Sequence, residues 1–151
     1  MTDPHELSVT RYIDAPPEKV WEVYTTRKDE FFCPKPWRAE VVEEDHRAGG
    51  RSRINMYGPQ GEKNEVNGTI LEVVPHRRIV STDAFVDDWQ PAGPFIVAVT
   101  TFEPEGKGTR YTAAARHWTA EAMKQHEDMG FHEGWGAVVE QLAQLCEDDT
   151  K

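Results

Sequence analysis

The sequence predicts an α+β domain in which one curved antiparallel sheet wraps around a long C-terminal helix, with two short helices after the first strand. Three observations predict it. Segments of alternating polarity, joined by tight turns, follow one another from 37 to 118 with no room for crossover helices, which makes an antiparallel meander. The stretch MGFHEGWGAVVEQLAQLCE (129–147) repeats apolar residues at helical spacing. A lone long helix must bury that stripe, and the sheet is the only large partner.

The elements follow in order. ELSVTRYI (6–13) alternates Leu7 and Val9 against Ser8, Thr10 and Tyr12, as a strand does. Asp14 is expected to cap the helix in APPEKVWEVYTT, whose prolines at 16 and 17 sit in the first turn, where a missing N–H is harmless. Val20, Trp21, Val23 and Tyr24 give that helix its buried stripe. DEFFCP is a second short, aromatic segment ending at Pro34 and Pro36. Strands are expected at 37–46, at 51–58 after Gly49–Gly50, at 64–74 and at 78–85. DDWQPAGP reads as a loop, and 95–103 and 108–118 as a hairpin around PEGKG. Thr119 caps a first C-terminal helix, 119–128, with Glu121 in its first turn, and Gly130 breaks it from the main one.

Composition sets the bounds. At 151 residues the chain fits one domain, 1–151, with an ordered core of about 6–147 and a real apolar interior; five tryptophans and six phenylalanines supply its mass. The net charge of −10 argues against nucleic acid and anionic membrane surfaces, which want basic patches. Apolar runs fall far short of the ~20 residues of a membrane span. MTDPHELS lacks the basic start and apolar core of a secretory signal, so a cytoplasmic location is expected, with Cys33 and Cys146 reduced. Only the first five residues and the tail EDDTK look disordered.

IDAPPEKVWEVYT, RAGGRSRINMYGPQGEKNEVNGTILEVVPHRRIVSTDAF, TFEPEGKGTRYT and MGFHEGWGAVVEQL resemble the homologues of the activator of heat-shock-protein ATPase, the AHSA-type family of the START-like (SRPBCC) superfamily. The resemblance covers nearly the whole chain. It implies the helix-grip fold shared with the birch-pollen allergens, and a cavity between sheet and helix, without implying a defined reaction. The chaperone-stimulating role of the proteins that name the family leans on an additional N-terminal domain, which a chain one domain long is expected to be without.

Gly134 and Gly136 flank Trp135 inside a strong amphipathic helix, although each glycine costs about 1 kcal/mol there relative to alanine. Two readings stand: the glycines admit a backbone close to the helix, or they leave space beside Trp135 so that the helix roofs a hollow. The strand at 108–118 puts Tyr111, Ala113, Ala115 and His117 on one face and Arg110, Thr112, Ala114 and Arg116 on the other. The charged set belongs in water, so small residues face the glycines. A pocket on the order of a few hundred Å3 is therefore expected. Its expected lining is Trp37, Met56, Phe85, Phe95, Tyr111, Ala113, Met123, Phe131 and Trp135, with Arg53, His117 and His132 as polar contacts.

Each polar candidate also has an ordinary reading. Arg51 and Arg53 share a strand face, where they would either anchor an acidic ligand group or stand in solvent. His117, His126 and His132 invite a metal, but His126 and His132 are six apart and no H-E-x-x-H spacing exists, so no metal is expected. His132 and Glu133 would make an acid/base pair only if adjacent helical residues pointed together. Asp87, Asp88 and Trp89 read as an exposed acidic loop near the pocket mouth. Cys33 reads as a buried thiol, and no nucleophile elbow, phosphate loop or nucleotide fingerprint is present. The expected function is binding of a small apolar or amphipathic molecule without cofactor. The alternatives are a cavity enzyme of the cyclase, dehydratase or hydrolase kind and, through the family, a chaperone partner; a homodimer stays open.

Overall fold

The computed structural model describes residues 5–92 and 96–150. β1 (Glu6–Ile13) pairs along its whole length with β9 (Gly108–Arg116), from Glu6 opposite Arg116 to Ile13 opposite Thr109, so the first strand closes on the last. Between them run β2 (Arg38–Glu44), β3 (Arg51–Tyr57), β4 (Lys63–Val74), β5 (Arg78–Thr82) and β8 (Val97–Glu105), all antiparallel, in the sheet order β1-β9-β8-β5-β4-β3-β2. β5 ends at Thr82, short of the strand expected over 78–85, and β6 (Phe85–Val86) and β7 (Gln90–Pro91) form a separate small hairpin that takes in the end of that expected strand and part of the expected loop. The sheet curves around the helices, as the sequence predicts.

α1 (Pro17–Thr26) starts at Pro17 as expected, but Asp14 does not cap it. Pro16 holds the N-cap position with no side-chain cap, and the Asp14 amide donates to Glu147 at 3.1 Å. The second short helix is only a 3-10 turn, Lys28–Glu30. α2 (Ala120–Asp128) is capped by Thr119, whose hydroxyl accepts from the Ala122 amide at 3.0 Å. Gly130, at φ +95°, breaks it from α3 (Phe131–Asp149), a left-handed conformation that glycine adopts without strain.

Register and strand alternation sort the sheet into two faces. Leu7, Val9 and Ile13 share the inner face with Ala115, Ala113 and Thr109, and on the far strands with Ile54, Met56 and Val66. The main core fills the β1–β9–β8 side: Ile13, Val20, Val23, Phe102, Tyr111 and Ala113 pack with Val139, Leu142, Ala143 and Cys146 of α3. α3 lies on β1 and α1. It is rotated from the stripe of Phe131, Trp135, Val138, Leu142 and Leu145 that the spacing predicts: Val139, Ala143 and Cys146 go inward, whereas Trp135, Val138 and Leu145 stay half-buried.

Candidate functional site

Two flanks of α3, each headed by a glycine, look in different directions. Gly136, Glu140, Ala143 and Glu147 face the β1 edge, where Arg11 donates to Glu140 at 2.8 Å and to Glu147 at 2.9 Å. Gly134, Val138, Gln141 and Leu145 face the other way. The Gln141 amide donates to the Phe31 and Cys33 carbonyls at 2.9 and 2.7 Å, and its oxygen accepts from the Lys35 amide at 3.1 Å. That flank therefore looks toward the chain leading into β2. A side-chain carbon built on either glycine would meet nothing within 4 Å. The close-approach reading of the glycines is overturned, because no sheet or loop backbone comes near them.

The inner face of the far strands is unevenly covered. Ile54, Ile70, Ile79 and Thr100 are buried. Ser52, Gly68, Ser81 and Ala98, on the same face, are only half-buried, although Ser81 and Ala98 sit in central strands. This part of the inner face, floored by small side chains, is thus less covered than the part beside the filled core. There Met56, Val66, Phe32 and Trp37 pack on the buried Cys33, Ala39 and Ile54, while Trp135 and Val138 pack on the main core.

The expected site residues divide accordingly. Trp135 packs on Phe131 and His126, whereas Trp37 and Met56 come to this less covered part of the inner face. Ala113 and Tyr111 do not: both are in the filled core, with Tyr111 3% exposed and bonded to Thr100, and with burial and the neighbouring Tyr24 and Cys146 pushing its hydroxyl well above its ordinary pKa. Phe131 and Met123 pack with Leu7 and Ala115 at the β1 end. Phe85 lies on the β6–β7 hairpin with its ring 5.9 Å from that of Trp89. Phe95 lies outside the described residues. Arg53 stands on the outer face, opposite in direction to Ile54 and Met56, with Glu43 and Asn67 as its cross-strand partners. Arg51 shares that face and lines a separate outer pocket of about 270 Å3 with Gly49, Gly50, Thr69, Asp88 and Trp89.

The histidines lie away from this part of the sheet. His117 is buried, with Nδ1 2.7 Å from the His5 carbonyl and Nε2 2.8 Å from His126 Nδ1. Burial, then the neighbouring His117, lower the pKa of His126. His132 is exposed and faces Glu127 at 3.6 Å, not Glu133. Among the described residues, no group of three or more His, Cys, Asp or Glu is placed to hold a metal ion. Burial raises the pKa of Cys33 and, with Asp149 nearby, pushes Cys146 up to about 12, so both are poor nucleophiles.

Sequence reasoning missed a buried polar cluster between the Lys28–Glu30 turn and the inner face of β2 and β3. Lys28 Nζ lies 2.6 Å from Glu44 Oε1, both side chains 10% exposed or less. His46 Nε2 is 3.1 Å from the same oxygen, and the Ser52 hydroxyl donates to Glu44 Oε2. The ammonium sits over the Tyr24 ring, 4.5 Å from its centroid. Burial pushes Glu44 upward in pKa, but hydrogen bonds from His46, Lys28 and Ser52 and the Lys28 charge outweigh it and hold the carboxyl at about 2. Burial likewise opposes the charge on Lys28, and Tyr24 and Glu44 outweigh it, raising its pKa.

Comparison with known proteins agrees with this architecture. The family model described as Activator of Hsp90 ATPase homolog 1-like protein matches residues 14–147. A crystal structure of a Nitrosomonas europaea protein is 37% identical, with 99% of each chain covered and a TM-score of 0.88. One from Mycobacterium smegmatis is 31% identical over 95% of this chain and 91% of that one, with a TM-score of 0.80. A Silicibacter pomeroyi structure titled AHSA1, 20% identical over 92% and 95% of the two chains with a TM-score of 0.70, shares the fold. A search of curated proteins finds no match. Among the described residues no helix is long and apolar enough to cross a membrane.

Proposed function

The chain belongs to the Activator of Hsp90 ATPase homolog 1-like family, and we propose that, as a member of it, this protein binds a small apolar or amphipathic molecule in the groove between the Gly134 flank of α3 and the inner face of β3, β4, β5 and β8. One observation carries the reading. Ser81 and Ala98 lie on the inner face of two central strands, each one residue from a strand end, yet remain half-buried. Central inner-face positions are normally sealed by whatever packs on the sheet. Gly134 leaves the opposite wall equally open. A groove walled by Trp37, Met56, Val66, Trp135 and Val138, with few polar groups, has the chemistry of a small-molecule site.

Titration with the neutral fluorescent probe N-phenyl-1-naphthylamine tests this. Native protein should bind it saturably with enhanced emission. Ala98→Phe, which places a ring on the groove floor, should abolish binding while the far-UV circular dichroism is retained. Equal binding by Ala98→Phe would overturn the reading. The family description favours a second reading, stimulation of a heat-shock ATPase. An increase in the hydrolysis rate of an Hsp90-type ATPase on adding this protein would support it.

A further inference from the structure

The cluster of Lys28, Glu44 and Ser52 bears on what the groove accepts, given the ligand-binding reading above. Glu44 stands on the inner face only because β2 is bulged between Val41 and Glu43; the extra residue turns Glu44 inward, opposite Ser52. The buried Lys28 ammonium at 2.6 Å keeps that carboxyl ionised. An ionised carboxylate only accepts hydrogen bonds. The Ser52 hydroxyl must therefore be the donor in its contact with Glu44 Oε2, and its proton is committed. Its oxygen keeps two lone pairs. Among the described residues no other hydrogen bond reaches that oxygen. On the other side of Ser52, in register, is Gly68, which has no side chain to cover it. Ser52 itself is half-buried at the groove.

We propose that Ser52 is a specificity-determining residue that presents only acceptor lone pairs to the groove, so that it selects apolar ligands carrying a neutral hydrogen-bond donor, such as an alcohol or phenol, over isosteric ketones. The order of roles runs from charge to ligand. Lys28 fixes Glu44 as an acceptor, Glu44 fixes Ser52 as a donor, and Ser52 is left as an acceptor toward the groove. A ketone oxygen set against that lone pair finds no proton and leaves both groups unsatisfied, and a site built around one hydrogen-bonding sense rejects the analogue that lacks it. Ionic head groups gain little, because the adjoining pair of Lys28 and Glu44 is neutral overall.

Displacement of N-phenyl-1-naphthylamine by 2-decanol and by 2-decanone, which share one carbon skeleton, tests the inference. In native protein 2-decanol should displace the probe at about tenfold lower concentration, the factor that one net hydrogen bond of about 1.4 kcal/mol supplies. Ser52→Ala should bring the ratio close to one without loss of probe binding. Glu44→Gln offers Ser52 an amide donor, frees the serine proton, and should shift the preference toward the ketone; a role for Glu44 confined to stability would leave the ratio unmoved. A native preference for the ketone, or an unchanged ratio in Ser52→Ala, would overturn the inference. If Glu44→Gln does not fold, Ser52→Ala decides alone. Probe binding without discrimination refutes only the role of Ser52, whereas failure of native protein to bind the probe refutes the groove itself.

Discussion

Replacing Gly134 by alanine should stabilise this protein. Gly134 is already helical: its amide donates to the Gly130 carbonyl at 2.9 Å, and its φ is not in the left-handed region. Alanine restricts the unfolded chain more than glycine does and is favoured in a helix by about 1 kcal/mol. The usual objection is steric, and here it fails, because the new methyl meets nothing within 4 Å. The full propensity difference should appear, which for a domain of this size is a rise of about 2–4 °C in Tm. Gly136→Ala meets equally open space, and residues two apart on a helix do not face each other, so the two effects should add. Gly130→Ala is the opposite case. At φ +95° a side chain costs about 1–2 kcal/mol, so that Tm should fall. Thermal melts followed by circular dichroism at fixed pH give all four values. A lower Tm for Gly134→Ala would mean that something packs against that flank, and the groove argument would lose one of its walls.

Phe131→Ala should destabilise by about 3–5 kcal/mol, since Phe131 is 1% exposed; half-buried Trp135→Ala should cost less, about 2 kcal/mol, and urea denaturation that ranks them the other way would contradict the packing described. Lys28→Met should cost about 3–5 kcal/mol by stranding a buried carboxylate, and the double variant Lys28→Met/Glu44→Gln should be more stable than Lys28→Met alone; a double variant that is less stable would deny the coupling. The folded-state pKa of Glu44 lies below its ordinary value, so its contribution is present above about 4.5 and is lost as pH falls toward about 2; the shift corresponds to about 3 kcal/mol. His126 also has a lowered pKa, so its unfolded form binds the proton first and stability should begin to fall as pH drops below about 6.5. Urea midpoints measured across roughly pH 3–7 on native protein and Glu44→Gln should differ least at the acid end; a constant difference would contradict the Glu44 linkage.

The meander, the C-terminal helix and the break at Gly130 were legible because each rests on local signals: alternation, helical spacing and a glycine at a turn. The closing of β1 on β9 was legible only through the resemblance of the whole chain to a known fold. The site was less so. Strict alternation puts Glu43 on the inner face with Ala39 and Val41, and the bulge in β2 exchanges it for Glu44; no local residue pattern announces that extra residue. Lys28 lies in a short polar turn, KDE, which reads as exposed, and only the tertiary fold buries it against β2. Ala113 and Tyr111 were placed on the correct face of β9, but a face does not tell how far along the sheet the helix reaches. That depends on the rotation of α3, which the apolar stripe brackets on both sides of its true centre.

Methyl-resolved NMR during a titration with N-phenyl-1-naphthylamine tests the central claim most directly, since it reports where the probe sits as well as whether it binds. The account requires chemical-shift changes at Met56, Val66, Ala98 and Val138, around the groove, with Val20, Val23 and Leu142 in the filled core little moved. Changes confined to the exposed Val42 and Val74, or no saturable change at the groove methyls, would contradict it.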